Sequence, residues 1–124
     1  MDVNQKGCFA EYSFATTAIK KGYNVSMPLL DASLYDCILE RDNKLFKIQI
    51  KYIGKNRRRH GKGYQINLKR TGKPYYELYE VDFFAIYYED ANGFFIIPNK
   101  LQHSLKLSMD GKYKDFFNNF ECIS

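Results

Sequence analysis

The chain has 124 residues, 19 Lys and Arg against 14 Asp and Glu for a formal charge of +5, and 11 Tyr with 10 Phe but no Trp. That length and apolar content exclude a disordered chain and give one domain, residues 1–124, able to bury a core. Three scattered cysteines and the lack of a leader or a long apolar run exclude a disulfide framework, a zinc knuckle and a membrane span, so a reduced, soluble, cytoplasmic protein with no membrane partner is expected.

From about Gln5 to Lys21 the residues Cys8, Tyr12, Ala15 and Ile19 recur at helical spacing, and Gly22 after two lysines is a helix stop. This stripe is the face expected to be buried. Glu11 lies three residues after Cys8 and four before Ala15, at the stripe's boundary. Next, Leu34 to Glu40 alternates as a strand does, a polar knot at Arg41 to Lys44 turns the chain, and Leu45 to Ile53 alternates again. The segment reads as a β-hairpin. Whether its loop is Asp42-Asn43 or the four residues from Arg41 to Lys44, antiparallel pairing sets Asp36 directly opposite Gln49. Opposed residues share a face of the sheet, and Lys51 joins them because side chains repeat every second residue. Phe46, Ile48, Ile50 and Tyr52 take the other face, as core.

A carboxylate, an amide oxygen and an ammonium converging on one spot supply two oxygen ligands for a hard divalent cation and a fixed positive charge beside it. The plain alternative is the solvated face of a half-exposed hairpin. A helix packed on the hairpin would be able to aim Glu11 at the same spot; a surface glutamate turning its carboxylate to water is the plain alternative for that residue.

Between Asp42 and Glu77 the sequence has no acidic residue, while Lys44, Lys47, Lys51, Lys55, Arg57, Arg58, Arg59, Lys62, Lys69, Arg70 and Lys73 fall inside that window. More than half of the 19 basic residues are concentrated there, and the isoelectric point is near 9.0. Such a surface suits a polyphosphate backbone. Gly54 to Gly63, with three glycines, three consecutive arginines and His60, reads as a mobile loop that orders on DNA. Tyr64 to Lys69 alternates as a strand with Gln65, Asn67 and Lys69 on one face. Gln and Asn can bond adenine, and Lys guanine, in the major groove; an edge strand whose lysine deters aggregation is the competing account.

Val81 to Tyr88 is apolar enough for a central strand, Asn92-Gly93 signals a turn, and Phe94 to Ile97 returns as a partner closed by Pro98. Asp82 stands at the strand's start, placed either to help close the site or to bind a neighbouring backbone. Asn99 to Leu107 and Lys112 to Phe120 are expected as short helices, the second burying Phe116, Phe117 and Phe120. His60 and His103, the only histidines, lie in no metal-ligand pair, which leaves little for a His-metal nuclease or a nucleophilic triad.

The order Lys6-Gly7, Glu11, Gly22-Tyr23-Asn24-Val25, Tyr35-Asp36, then Lys47-Ile48-Gln49-Ile50-Lys51 resembles the PD-(D/E)XK nuclease superfamily. More narrowly, it resembles the homing endonucleases of that type found in bacterial group I introns. The likeness extends through Val81 to Tyr87 and Phe94 to Pro98. It implies an α/β, restriction-endonuclease-like fold, a mixed central β-sheet flanked by α-helices. It also implies an active site of Glu11, Asp36, Gln49 and Lys51. Two departures stand out: Tyr35 occupies the place of the proline that names the motif, and Gln49 replaces the usual second acid.

On this reading double-stranded DNA is hydrolysed with magnesium, for which manganese substitutes, leaving 5′-phosphate and 3′-hydroxyl ends. Asp36, Gln49 and the Ile50 carbonyl would hold the cation. Lys51 would stabilise developing charge or orient the attacking water, and Glu11 would hold a second cation or its water. Lys55, Arg57, Arg58, Arg59, Lys62, Gln65, Asn67, Lys69, Arg70 and Lys73, within a loop and strand at about 54–73, would contact the DNA. Cutting both strands with one site per chain implies a homo-oligomer, a dimer or a tetramer. A Holliday-junction resolvase and a non-catalytic nucleic-acid-binding module are the rival functions.

Overall fold

The computed structural model describes residues 1–30, 33–59, 61–68 and 75–123. Helix α1, Val3–Lys20, begins at a reciprocal cap: the Gln5 N–H donates to the Asp2 carboxylate at 2.8 Å and the Asp2 N–H donates to the Gln5 side-chain oxygen at 2.9 Å. It ends at Gly22, whose φ of +97° only glycine adopts without strain.

Five strands form the main sheet: β1 Asn24–Ser26, β2 Cys37–Arg41, β3 Lys44–Ile53, β5 Phe83–Tyr88 and β6 Gly93–Pro98, in the spatial order β1-β2-β3-β5-β6. The β2–β3 hairpin turns on two residues, Asp42 and Asn43, at φ +52° and +63°; both are side chains that tolerate the left-handed region a tight hairpin requires. The resulting register pairs Arg41 with Lys44 and Cys37 with Ile48, as the alternation predicts. On its other edge β3 pairs with β5 in parallel, so the expected mixed sheet is present. A parallel neighbour demands a long crossover, and residues 54–82 supply it. The acid-free basic window of the sequence therefore falls largely on the crossover.

That crossover and the C-terminal region cover the second face of the sheet with a two-stranded antiparallel ribbon, β4 Tyr64–Asn67 and β7 Ser104–Leu107. Two layers of core result. On the helix side Ala10, Phe14 and Ala18 meet Leu39, Ile48, Ile50, Tyr87 and Ile96; on the ribbon side Tyr64, Ile66, Leu105 and Leu107 meet Phe84, Ile86, Phe95 and Ile97. Each fully buried Leu, Ile or Phe contributes about 1.5–3 kcal/mol. Gly63 lets the ribbon close, since a Cβ there would stand 2.2 Å from the Leu107 carbonyl oxygen.

Several expectations are corrected. The buried face of α1 is Ala10, Phe14, Ala15 and Ala18, while Cys8, Tyr12 and Ile19 are exposed; three alanines let the helix lie close on the sheet, and bulk alone misidentifies the inner stripe. Residues 99–107 are not helical, because Ser104-Leu105-Lys106-Leu107 has period two and forms β7. Residues 112–120 form a single 3-10 turn, Lys114–Phe116, with another at Phe120–Cys122, and of the three phenylalanines only Phe120 is fully buried. Strand β2 begins at Cys37 and not at Leu34. A ribbon stands where a second helical layer was expected. All three cysteines are free, as expected, but Cys8 is exposed and not a packing residue. No helix among the described residues is long and apolar enough to cross a membrane.

Candidate active site

Strand β3 runs five residues beyond the start of β2, from Gln49 to Ile53, and along this stretch no strand among the described residues lies beside its β2 edge. Asp36 closes the first part of the gap. Its N–H donates to the Ile48 carbonyl at 2.8 Å, and its carboxylate accepts the Ile50 N–H at 2.7 Å, taking the place of a missing strand. The ladder ends at Cys37 opposite Ile48, and Asp36 stands just outside it, bonded to Ile48 and Ile50, the residues on either side of Gln49. A strand residue's N–H and C=O point to one edge, so the Ile50 carbonyl also faces this gap.

Gln49 and Lys51 share the ribbon-side face of β3, in register with Phe84 and Ile86 of β5. Phe46, Ile48, Ile50 and Tyr52 take the helix side, as the alternation predicts. Asp36 and Lys51 act on one another directly. Burial raises the Asp36 carboxyl above its ordinary value, opposed by the Ile50 N–H bond and by the Lys51 charge. Burial likewise lowers Lys51; Asp36 opposes that shift, and Arg57 adds to it. Both groups are drawn out of water towards each other, with Arg57 close by.

Glu11 reaches this region from the other layer. Its helix lies on the face opposite Gln49 and Lys51, and its charge, with that of Asp36, adds to the burial that pushes the Cys37 thiol up to about 12. The two layers meet at the open edge of β3. A groove of about 560 Å³ runs there between Val3, Lys6 and Gly7 of the helix and Ile66 and Asn67 of β4, with Lys51 and Arg57 in its wall. Gly7 lies one helical turn before Glu11, on the same side of α1. The structure brings Asp36, the Ile50 N–H and Lys51 together, puts Gln49 on the Lys51 face of β3, and lets the Glu11 charge act with that of Asp36 on Cys37.

Among the described residues no three His, Cys, Asp or Glu side chains gather to hold a metal. The oxygen donors at hand are the carboxylates Asp36 and Glu11, the Gln49 amide and the Ile50 carbonyl. Magnesium keeps several of its waters and binds through one or two carboxylates, so this donor set fits a hard hydrated cation and does not fit zinc, which takes His and Cys.

The basic residues divide by what they already touch. The Arg59 guanidinium lies 2.5 Å from the Asp90 carboxylate and over the Tyr64 ring, and it donates to the Lys62 carbonyl. It holds the loop together. The Arg57 side chain donates to the Gln65 carbonyl at 3.2 Å, and Arg58 and the Lys55 side chain are exposed. Lys62 makes a 3.6 Å surface pair with Asp110. Gln65 and Asn67 are exposed on the ribbon's outer face, as expected. His60, Lys69, Arg70 and Lys73 lie outside the described residues.

Sequence reasoning missed Lys106 and Ser104. They stand directly opposite Gln65 and Asn67 in the ribbon, so four polar residues form one outward face. The alternation of residues 104–107 was the signal. Asp82, by contrast, binds backbone: its carboxylate accepts the Lys47 N–H at 2.8 Å and its own N–H donates to the Lys47 carbonyl at 2.9 Å.

A model of the family described as PD-(D/E)XK endonuclease matches residues 1–118. Among solved structures, that of a bacterial homing endonuclease, I-Ssp6803I, is similar with a TM-score of 0.81 at 21% identity, covering 99% of this chain and 93% of that one. At that identity the likeness establishes a shared fold. No curated protein sequence matches the chain.

Proposed function

Because the chain belongs to the PD-(D/E)XK endonuclease family and is a nuclease, we propose that it cuts double-stranded DNA at a defined site, as a homing endonuclease working inside the cell with magnesium. Residues 1–124 act as one nuclease domain. The observation that carries this reading is the Asp36 carboxylate held on the Ile50 N–H beside the half-buried Lys51, at the edge where β3 runs on past the start of β2.

In this mechanism Asp36, Gln49 and the Ile50 carbonyl would hold the cation, with Glu11 approaching from the helix layer. When bound, the cation supplies Lewis-acid polarisation of the scissile phosphate and a more acidic water. Lys51 places its ammonium where negative charge grows on the phosphate, and burial strengthens that interaction. Arg57, beside Lys51, fixes a neighbouring phosphate. Arg58, Lys55 and the other lysines of the crossover neutralise the flanking backbone. Gln65 and Asn67, with Lys106 and Ser104 across the ribbon, present hydrogen-bonding groups to base edges; a two-stranded ribbon fits the major groove.

This outward-facing polar ribbon favours linear duplex over branched DNA, because base edges carry sequence whereas backbone contacts only position the protein. The test offers the protein a genomic fragment library and a four-way junction of arbitrary sequence, each with magnesium. Cutting at one defined site in linear DNA is expected. Preferential, sequence-indifferent cutting of the junction would make the protein a resolvase, and tight binding without cutting would leave only a binding module.

A further inference from the structure

The end of the β4–β7 ribbon that lies away from the groove opens into a second cationic hollow. It measures about 600 Å³ and is bounded by Lys62 just before β4, Lys106 within β7, and Ser108, Asp110, Lys112 and Tyr113 after it. Two tight turns face each other there. One carries Gly61, at φ +65°, and the Lys106 ammonium lies 3.4 Å from where a Cβ on that glycine would stand. The other returns the Gly111 N–H to the Ser108 carbonyl at 3.3 Å, and a Cβ on Gly111 would stand 2.5 Å from the Ser108 hydroxyl oxygen, so glycine leaves that hydroxyl its room. Arg59 braces the first turn, donating to the Lys62 carbonyl at 3.1 Å while tied to Asp90. Lys112 rests over the Tyr113 ring, 5.4 Å from its centre.

We propose that this hollow holds backbone phosphates of the bound duplex, on the flank away from the cut. Three ammonium groups meet one carboxylate in it. That carboxylate, Asp110, reaches Lys62 at 3.6 Å across side chains 64% and 84% exposed, a contact that water and salt leave weak. Lys106 and Lys112 meet no carboxylate among the described residues. The lysines come from separate segments of chain and converge on one concavity, unlike the alternating lysines of a solvated strand. Ammonium groups beside a neutral hydroxyl donor are the chemistry that phosphodiester oxygens take.

The position of the hollow fits a second grip on the same duplex. Asn67 stands at the groove that contains Lys51 and Arg57, and Gly63 stands at the hollow. Four residues of strand separate them, roughly 13 Å, which is the rise of about four base pairs. Gln65 and Ser104 lie between, and Lys106 stands where the base-facing strip meets the hollow. Phosphates held at both ends of the strip fix how deep the ribbon sits and in which register it reads. Two of the three lysines lie beyond the acid-free window of the sequence, because β7 brings them back beside β4. That the anion is duplex DNA rests on the proposed function; the charge and shape of the hollow do not.

Duplex binding measured without magnesium over a range of salt concentrations tests the site. Lys112→Met should lower the logarithmic salt slope by about one, and Asp110→Asn, which releases Lys62 and removes a repelling charge, should raise it by about one. Opposite signs from two exposed neighbours are not what a folding defect gives. Lys20→Met, at the end of α1 in the other layer, should leave the slope unchanged. A second readout places single neutral methylphosphonates along the duplex. Wild type should lose affinity several-fold at one or two positions on the flank, and Lys112→Met should lose nothing further at those positions. Slopes unchanged in both variants, slopes shifted in the same direction, or a Lys112→Met variant that loses affinity at every position as wild type does would overturn the proposal. So would millimolar inorganic phosphate moving the Gly111 amide signal in a protein whose duplex binding ignores Lys112, which would mark a site for free phosphate. Slopes that shift as expected in a protein that cuts no DNA would keep the phosphate site and remove the nuclease mechanism; cutting at a defined site with slopes unchanged would do the reverse.

Discussion

Asp36 and Asp82 stand just before strands on either side of β3, and each grips β3 by a backbone N–H and a backbone carbonyl. Asp36 takes the Ile50 N–H at 2.7 Å and gives to Ile48; Asp82 takes the Lys47 N–H at 2.8 Å and gives to Lys47. The direction of the adjoining strand separates them. Beyond Asp82, β5 runs parallel to β3 and pairs with it from Ile48 to Ile53, so that edge is closed. Antiparallel β2 heads the other way from Asp36, and the edge of β3 beyond it stays open to a groove containing Lys51 and Arg57. An aspartate on a backbone N–H becomes a candidate catalytic group where its strand leaves the edge, and a structural group where its strand stays.

The two lysines beside these aspartates sharpen the contrast. Lys51→Met should lower single-turnover cleavage by about 10²–10³-fold, as loss of a charge aimed at the transition state does, with duplex binding nearly unchanged. Lys47 gives its ammonium to the Tyr79 carbonyl at the surface, so Lys47→Met should change cleavage little and stability by about 0.5 kcal/mol or less. Quench-flow cleavage with matched binding assays separates them; equal losses would erase the distinction between the two edges.

Next in size is the difference between Arg57, facing the open edge, and Arg59, tied to Asp90. Arg57→Gln should reduce the logarithmic salt slope of duplex binding by about one. Arg59→Gln should leave the slope nearly unchanged and loosen the loop instead. Equal slopes in the two variants would mean that the Asp90 contact does not decide which arginine meets the backbone.

A smaller effect is expected from Gln49, whose amide stands where an acid would bind a cation more tightly. Gln49→Glu should lower the magnesium concentration for half-maximal cleavage by a few-fold, and an identical requirement would remove Gln49 from the cation's ligands.

The smallest effect is on stability. Asp36 has a folded-state pKa above its ordinary 3.8, with burial as the first cause. Its contribution to stability is therefore fully present below 3.8 and is lost as pH rises through the raised folded value. Asp36→Asn keeps an oxygen for the Ile50 N–H and carries no charge, so without magnesium it should melt a few degrees higher near neutral pH. That gain should vanish in acid, where Asp36 is itself protonated. A variant less stable than wild type at neutral pH would deny that the ionised carboxylate is held at a cost.

Part of this site was legible from alternation alone. The tight turn at Asp42-Asn43 fixes the β2–β3 register from Arg41 to Cys37, and alternation along β3 fixes the face shared by Gln49 and Lys51. Period two does not encode where a partner strand ends. Leu34 and Tyr35 alternate as well as the residues after them, and only the packed structure stops β2 at Cys37. Nor did side-chain size identify the inner face of α1, because a helix lying close on a sheet selects Ala10 and Ala18 and leaves Tyr12 and Ile19 outside. The tie between Arg59 and Asp90 joins residues 31 apart, and no local pattern announces it.

The central claim is that Asp36, and not Asp82, holds the chemistry. Asp36→Asn and Asp82→Asn change the same atom in the same kind of backbone contact, so the two variants assayed together for cleavage and binding on one target duplex with magnesium test it most directly. The expected result is cleavage lost in Asp36→Asn with binding retained, and cleavage within a few-fold of wild type in Asp82→Asn. Cleavage retained in Asp36→Asn, or lost equally in both, would contradict the account.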